Sequence, residues 1–163
     1  MLQHWHGTIQ LIQQALAEDE VASDQTSALL PNDLMSEAFM MSKSDGVLAG
    51  VDIALEVWRQ VDPSLETQVL APDGIAVEQG MNVATIRGRM SSILRGERTA
   101  LNFVQRMSGI ATATNQLVKA IEDLPNIILD TRKTVPGWRL LDKYAVRMGG
   151  GHNHRMSTAD GIL

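Results

Sequence analysis

Two short stretches of the sequence combine side chains that can bind an anion. The first, Asp130-Thr-Arg-Lys-Thr134, follows Ile127-Ile-Leu129, an apolar run typical of a buried parallel strand. Ligand sites in parallel α/β sheets lie at the carboxyl ends of the strands. Arg132 offers a planar fork to a carboxylate or phosphate, and Lys133 offers a compact charge. A solvated loop with two exposed cations is the alternative interpretation.

The second stretch, Gly149-Gly-Gly-His-Asn-His-Arg155, places two histidines and an arginine after three glycines. The glycines can end a helix and allow the backbone to approach a ligand closely. In an extended chain His152 and His154 share one face and Arg155 lies on the other. An anion site that uses His154 and Arg155 is the preferred interpretation. A zinc site on the two histidines lacks a third ligand at a recognisable spacing.

A third candidate is Arg98, which the sequence places at the beginning of a long helix over residues 99–123. The N-terminus of a helix favours anions, so an arginine there is unfavourable for the helix itself. We therefore expect Arg98 to serve a ligand or a partner subunit.

Charge is divided unevenly along the 163 residues. Residues 1–85 have a net charge of −11 and residues 86–163 of +6, which suggests an anionic ligand for the second half. The net charge of −5 and the scarcity of aromatic residues argue against nucleic acid. The absence of cysteine favours a cytoplasmic location, and no apolar run is long enough to span a membrane.

Periodicity and turn residues predict a mixed α+β fold with a small antiparallel sheet. The first helix includes His4 and His6, a second His-x-His pair that we interpret as part of a frayed terminus. The predicted elements are a helix over 4–18, an acidic loop over 19–33, a hairpin at Asp45-Gly46, a helix over 52–61, strand–turn–strand over 67–94, the long helix, a buried strand at 127–129 and a helix over 138–148.

Four stretches together resemble quinolinate phosphoribosyltransferases. They are SDGVLAG (44–50), GERTALNFVQRMSGIAT (96–112), ILDTRKTVPGWRLLDKYAVRMGGGHNHR (128–155) and the final ADGIL (159–163). Their order and spacing agree with the family over nearly the whole chain. The resemblance implies an N-terminal α/β sandwich domain at residues 1–126 and the first part of an α/β barrel at 127–163, incomplete in this chain.

The resemblance also implies an activity and a site. The family transfers phosphoribose from phosphoribosyl pyrophosphate to quinolinate with decarboxylation, giving nicotinate mononucleotide, CO₂ and pyrophosphate for NAD biosynthesis. Mg²⁺ is the implied cofactor and a homodimer the implied assembly, with Arg98 lent to the partner's pocket. The residues implied to line the quinolinate pocket are Thr131, Arg132, Lys133, His154 and Arg155.

Members of the family are longer than this chain, and the acidic residues that hold Mg²⁺ and ribose come later in them. We therefore expect a fragment that is inactive alone, with apolar surface exposed in residues 127–163. The alternative is a non-catalytic module that dimerises or binds an anion. A zinc-binding His-x-His protein is the third hypothesis.

Overall fold

A computed structural model describes residues 6–161. His4, the side chain of His6 and the last two residues of the predicted barrel segment lie outside the described residues. The chain forms two small antiparallel sheets and five α-helices within this range. The expectation of an α+β fold with a small antiparallel sheet is therefore confirmed.

The larger sheet has three strands in the order β1 (Met35–Met41), β5 (Asn82–Arg89), β3 (Glu66–Val69). One face of the central strand is apolar and packs into the core, with Ile86 only 1% exposed. The other face carries an ion pair between Arg87 Nε and Glu37 Oε1 at 2.7 Å. The smaller sheet pairs β2 (Gly46–Val47) with β4 (Ala76–Val77).

The helices cover the inner side of the larger sheet and extend beyond it. They are α1 (His6–Glu18), α2 (Gln25–Ala28), α3 (Val51–Val61), α4 (Met90–Ala120) and α5 (Arg139–Met148), with a 3-10 turn at Val21–Ser23. Residues from α3, α4 and β5 dominate the core, for example Leu55, Phe103 and Ile86. None of the helices within the described range is both long and apolar enough to cross a membrane.

The structure corrects three sequence predictions in the N-terminal part. The stretch at Asp45-Gly46 does not form a hairpin, because β1 pairs with β5 and β2 pairs with β4. The loop over 19–33 contains α2 and a 3-10 turn, because the Asp24 carboxylate caps the backbone N–H groups of Thr26 and Ser27. The long helix begins at Met90 and ends at Ala120, so it is shifted towards the N-terminus.

Arg98 consequently lies in the third turn of α4 and not at its beginning. The helix continues through Gly96 because that glycine packs against Trp58, where a Cβ would lie 2.4 Å from Trp58 Cδ1. The prediction that Arg98 lies at the N-terminus of the helix and opposes its dipole is therefore wrong, since the macrodipole acts mainly within the first turn of a helix.

The predicted buried strand at 127–129 is also wrong in its burial. Ile127 is 61% exposed and Leu129 is 49% exposed, and a single parallel bridge joins Leu129 to His152. One bridge leaves most of this segment without a neighbouring strand among the described residues. The expectation of exposed apolar surface in this part of the chain is confirmed.

Helix α5 is fixed against α4 along its length. The Trp138 ring stacks on Phe103 with centroids 4.9 Å apart, and Arg106 Nη2 pairs with Asp142 Oδ1 at 3.0 Å. At the other end a Cβ on Gly149 would lie 2.3 Å from the Ala111 carbonyl oxygen. Gly150 has a φ of 90°, a left-handed conformation that ends the helix. The glycines therefore bring the chain against α4 before it turns towards His152.

Candidate active site

The two cationic stretches lie side by side because one parallel bridge joins their beginnings. His152 N donates to the Ile128 carbonyl at 2.9 Å, and Asp130 N donates to the His152 carbonyl at 3.0 Å. Both segments run in the same direction from this bridge. The structure therefore places residues 131–133 and 154–155 directly after the same bridge.

Asp130 connects the two segments. Its Oδ1 accepts from the backbone N–H of His154 at 2.8 Å and from Lys143 Nζ. Its Oδ2 accepts from Asn153 Nδ2 at 2.5 Å. The side chain is almost buried, so water competes little with these charge-assisted hydrogen bonds. The carboxylate thereby fixes the distance between the end of the first segment and the backbone of the second.

Five of the six predicted site residues follow this bridge, and they differ in exposure. Thr131, Lys133 and His154 are exposed, and Arg132 and Arg155 are half-buried. The Thr131 hydroxyl accepts from Lys133 N at 3.0 Å, and this hydrogen bond closes a turn around Arg132.

His154 has a defined tautomer in its neutral form. Its Nδ1 accepts from the backbone N–H of Arg155 at 2.8 Å, so the neutral ring carries its proton on Nε2. That N–H is a donor for an anionic ligand. Arg155 Nη1 donates to the Gly161 carbonyl at 2.9 Å, and this bond holds the guanidinium close to its own loop.

The loop after Arg155 is closed by Asp160. The carboxylate accepts from the backbone N–H groups of Ser157 at 2.9 Å and Met156 at 2.6 Å. These bonds, with a third from the Ser157 hydroxyl, hold the pKa of Asp160 below its usual value. The ionised Asp160 carboxylate therefore closes the turn that follows Arg155.

Arg132 contains an unsatisfied donor. Its Nε is buried and has no hydrogen-bond partner among residues 6–161. Buried donors are satisfied in nearly all native proteins, so this atom is available to an acceptor that residues 6–161 do not supply. A carboxylate is the acceptor that suits a guanidinium fork.

Arg98 stands apart from the other five. It is exposed and lines a cavity of about 360 Å³ with Arg95, Asp24 and other residues of the 19–24 segment. Within the described range no hydrogen bond or ion pair joins Arg98 to residues 131–133 or 154–155. The contact of Gly149 with Ala111 lies about 20 Å further along α4.

Comparison with known proteins agrees with this arrangement. The model of the quinolinate phosphoribosyl transferase N-terminal domain matches residues 24–108, and that of the C-terminal domain matches residues 110–163. The chain belongs to the quinolinate phosphoribosyl transferase family. The two family models meet inside α4, whereas the sequence placed the domain boundary between residues 126 and 127, and that boundary stays a prediction.

Individual relatives show the same likeness. The chain is 46% identical over 152 residues to a probable nicotinate-nucleotide pyrophosphorylase of Synechocystis, covering 93% of this chain and 52% of the relative. It is 44% identical to a quinolinate phosphoribosyltransferase of Nicotiana tabacum, covering 94% and 44%. The solved nicotinate-nucleotide pyrophosphorylase of Francisella tularensis superposes with a TM-score of 0.90 at 42% identity, covering 94% and 55%. The chain spans about half the length of these relatives.

Sequence reasoning missed the residues that hold the quinolinate phosphoribosyl transferase segments together. Asp130, Lys143 and Asn153 are not among the site residues that the sequence predicts, although Asp130 and Asn153 lie within the two cationic stretches. Lys143 lies beside Leu140, Leu141 and Tyr144, and helical periodicity alone places a lysine on the solvent side. The signal that could have found it is an acidic residue at the end of the preceding strand, which a buried lysine needs as a partner.

A metal centre receives no support from the described side chains. Within residues 6–161 no group of three or more His, Asp or Glu side chains is arranged to hold a metal ion. His152 and His154 are both exposed. The side chains of the described range therefore do not fit Mg²⁺ or zinc.

Proposed function

We propose that this chain carries the quinolinate-binding part of a decarboxylating phosphoribosyltransferase. The observation that carries the proposal is the parallel bridge between Leu129 and His152, which aligns two cationic segments at one edge. Quinolinate has two adjacent carboxylates, and this edge offers Arg132, Lys133, His154 and Arg155. The unsatisfied Arg132 Nε supports a carboxylate there.

The proposed reaction joins the pyridine nitrogen to C1 of the ribose while pyrophosphate leaves. The ring carbon that carries the adjacent carboxylate then releases CO₂, keeps the electron pair of the broken bond and takes up a proton. Fixed positive charge stabilises the developing electron density on that carbon. Nitrogen attack requires orientation more than a protein nucleophile, and two anchored carboxylates supply it.

The remaining parts of the proposal come from the family. Phosphoribosyl pyrophosphate is the second substrate and NAD biosynthesis is the pathway. Mg²⁺ is the cofactor, with ligands in the later part of the family's sequence and not among the described residues of this chain. A homodimer with Arg98 lent to the partner's pocket is supported by the exposure of Arg98 and its separation from the other cations. A cytoplasmic location rests on the cysteine-free sequence. No observation favours the non-catalytic alternative.

Calorimetric titration of quinolinate into the chain, at low and at moderate salt, tests the proposal. We expect saturable binding that weakens with salt, because a dianion meets several cations. Arg132→Ala should weaken binding at least about tenfold, since a charge-assisted bidentate contact contributes about 1.5–3 kcal/mol. Arg147→Ala is the matched control, because Arg147 is exposed and lies over the Tyr144 ring.

Two results contradict the proposal. Equal affinity for nicotinate, which lacks the second carboxylate, excludes a site built for a dianion. Unchanged quinolinate affinity in a folded Arg132→Ala variant excludes Arg132 from the pocket.

A further inference from the structure

A buried ion pair lies beneath the candidate active site and does not face its edge. Lys143 Nζ of α5 donates to Asp130 Oδ1, and the two side chains are 1% and 5% exposed. Removing two charges from water is costly, and apolar residues of similar volume often replace such pairs without loss of stability. The stability of the fold alone therefore does not explain why this position holds a charged pair.

The pair also contacts the backbone on both sides of the His154 side chain. Asp130 Oδ1 accepts from His154 N at 2.8 Å, and Lys143 Nζ donates to the His154 carbonyl at 2.8 Å. The N–H and C=O of one residue are thus held by the two members of one ion pair. The orientation of the His154 backbone is therefore fixed at both of its hydrogen-bonding groups.

Asn153 completes the network. Its Nδ2 donates to Asp130 Oδ2 at 2.5 Å and to the Lys143 carbonyl at 2.8 Å. One amide therefore joins the end of the first segment to the backbone of α5. Because α5 is fixed to α4 by the Phe103–Trp138 stack and the Gly149 contact, the network ties residue 154 to the long helix α4.

We propose that Asp130, Lys143 and Asn153 are positioning residues that set the His154–Arg155 backbone relative to Thr131–Lys133, so that both segments meet one ligand. The proposal rests on the proposed function, in which that ligand is quinolinate. None of the three touches the ligand, because their polar atoms are used on each other and on His154. The network acts through the His154 Nε2–H and the Arg155 guanidinium.

The test separates positioning from stability by removing the pair as a unit. Lys143→Met leaves Asp130 buried without its cation and is expected to destabilise the chain. The double variant Asp130→Leu/Lys143→Met removes both charges and keeps the branching of the first side chain and nearly the length of the second, and its melting temperature is expected to recover towards that of the unmodified protein. Lys119→Met on the exposed end of α4 is the matched control for loss of a lysine.

Quinolinate affinity is the functional measurement. In the double variant we expect affinity to stay reduced about 100-fold although the melting temperature recovers, because a displacement of about 1 Å in a positioning group can have that effect. Lys119→Met should bind as the unmodified chain does. Affinity that recovers together with the melting temperature assigns the pair a structural role and overturns the proposal.

Backbone NMR makes the proposal testable apart from the proposed function. In the double variant the amide shifts and hydrogen exchange of residues 153–155 should change to those of a mobile loop, while those of α4 and α5 stay native. Native shifts at 153–155 overturn the positioning role. Absence of quinolinate binding by the unmodified chain counts against the proposed function, and the NMR comparison then decides the positioning role alone.

Discussion

Asp62 is the residue through which three elements of the N-terminal part are joined. It follows the last residue of α3, and its Oδ2 accepts from Arg89 Nη2 at 2.8 Å and from the Ser92 hydroxyl at 2.7 Å. Its Oδ1 accepts from the hydroxyl and the N–H of Ser64. The Ser64 and Ser92 hydroxyls, followed by Arg89, hold the pKa of this carboxyl well below its usual value. The ionised form is therefore the one that stabilises the fold.

Replacement of Asp62 tests this at the residue scale. Asp62→Asn should lower the free energy of unfolding by about 2 kcal/mol at neutral pH. The NH₂ group of the amide would replace one carboxylate oxygen and face the donors that this oxygen now accepts from. The folded pKa lies below the unfolded value, so the stabilisation is complete above about pH 4 and is lost as the pH falls below it. In urea unfolding, the difference between the two proteins should shrink from pH 7 to pH 3.

The control for that comparison is Asp33→Asn, which changes an exposed loop carboxyl. It should unfold as the unmodified protein does at each pH. A difference between Asp62→Asn and the unmodified protein that stays constant from pH 7 to pH 3 contradicts the assignment of the charge.

At the scale of elements, two glycines inside α4 meet different surroundings. Gly96 packs on the indole of Trp58, whose Nε1 donates to the Ile93 carbonyl at 2.8 Å and is thereby held in place. Gly109 has no atom within 4 Å of the position of a Cβ. Both lie in the interior of the same helix, so an alanine improves helix propensity equally at each.

The pair of alanine variants isolates the contact with Trp58. Gly109→Ala should raise the free energy of unfolding by about 0.5–1 kcal/mol. Gly96→Ala should lower it by about 1–3 kcal/mol, because the methyl group overlaps a ring that cannot move freely. Urea unfolding measures both, and a shift of the two variants in the same direction contradicts the close packing of α4 on α3.

Local patterns predicted α1, α3 and α5 within a few residues, because each has its own apolar face and its own end signal. Local patterns did not predict the beginning of α4 at Met90, because a glycine such as Gly96 is unfavourable inside a helix. Its tolerance depends on Trp58, which is distant in the sequence. They failed for the burial of 127–129 because burial depends on neighbouring strands, which a local apolar run does not specify.

The candidate site divides in the same way. Cationic side chains after an apolar run and after glycines are visible in the sequence, and in the structure both groups follow one bridge. The bonds that hold them there are not visible. Lys143 pairs with an aspartate thirteen residues away, and only the relative placement of α5 and the 127–130 segment makes it a buried partner.

At the scale of the whole molecule, the larger sheet leaves three apolar side chains exposed on the face that also carries the Glu37–Arg87 ion pair. Met35, Phe39 and Met41 of the edge strand β1 are 66%, 56% and 41% exposed. They alternate along one face of the strand, opposite the residues that pack inward. Exposed apolar side chains on this face are consistent with the proposed homodimer, in which Arg98 reaches the pocket of the second copy.

Mixing two defective variants tests that arrangement. If each site takes Arg132 from one copy and Arg98 from the other, Arg98→Ala and Arg132→Ala should each lose quinolinate binding alone. After mixing and exchange, mixed dimers contain one site with both arginines, so about a quarter of all sites should bind. Recovery requires Arg98 to act across an interface. If Arg98 served the pocket of its own copy, every site in the mixture would lack one arginine and calorimetry would detect no recovery. The mixture therefore separates a shared site from a self-contained one without any structure of the dimer.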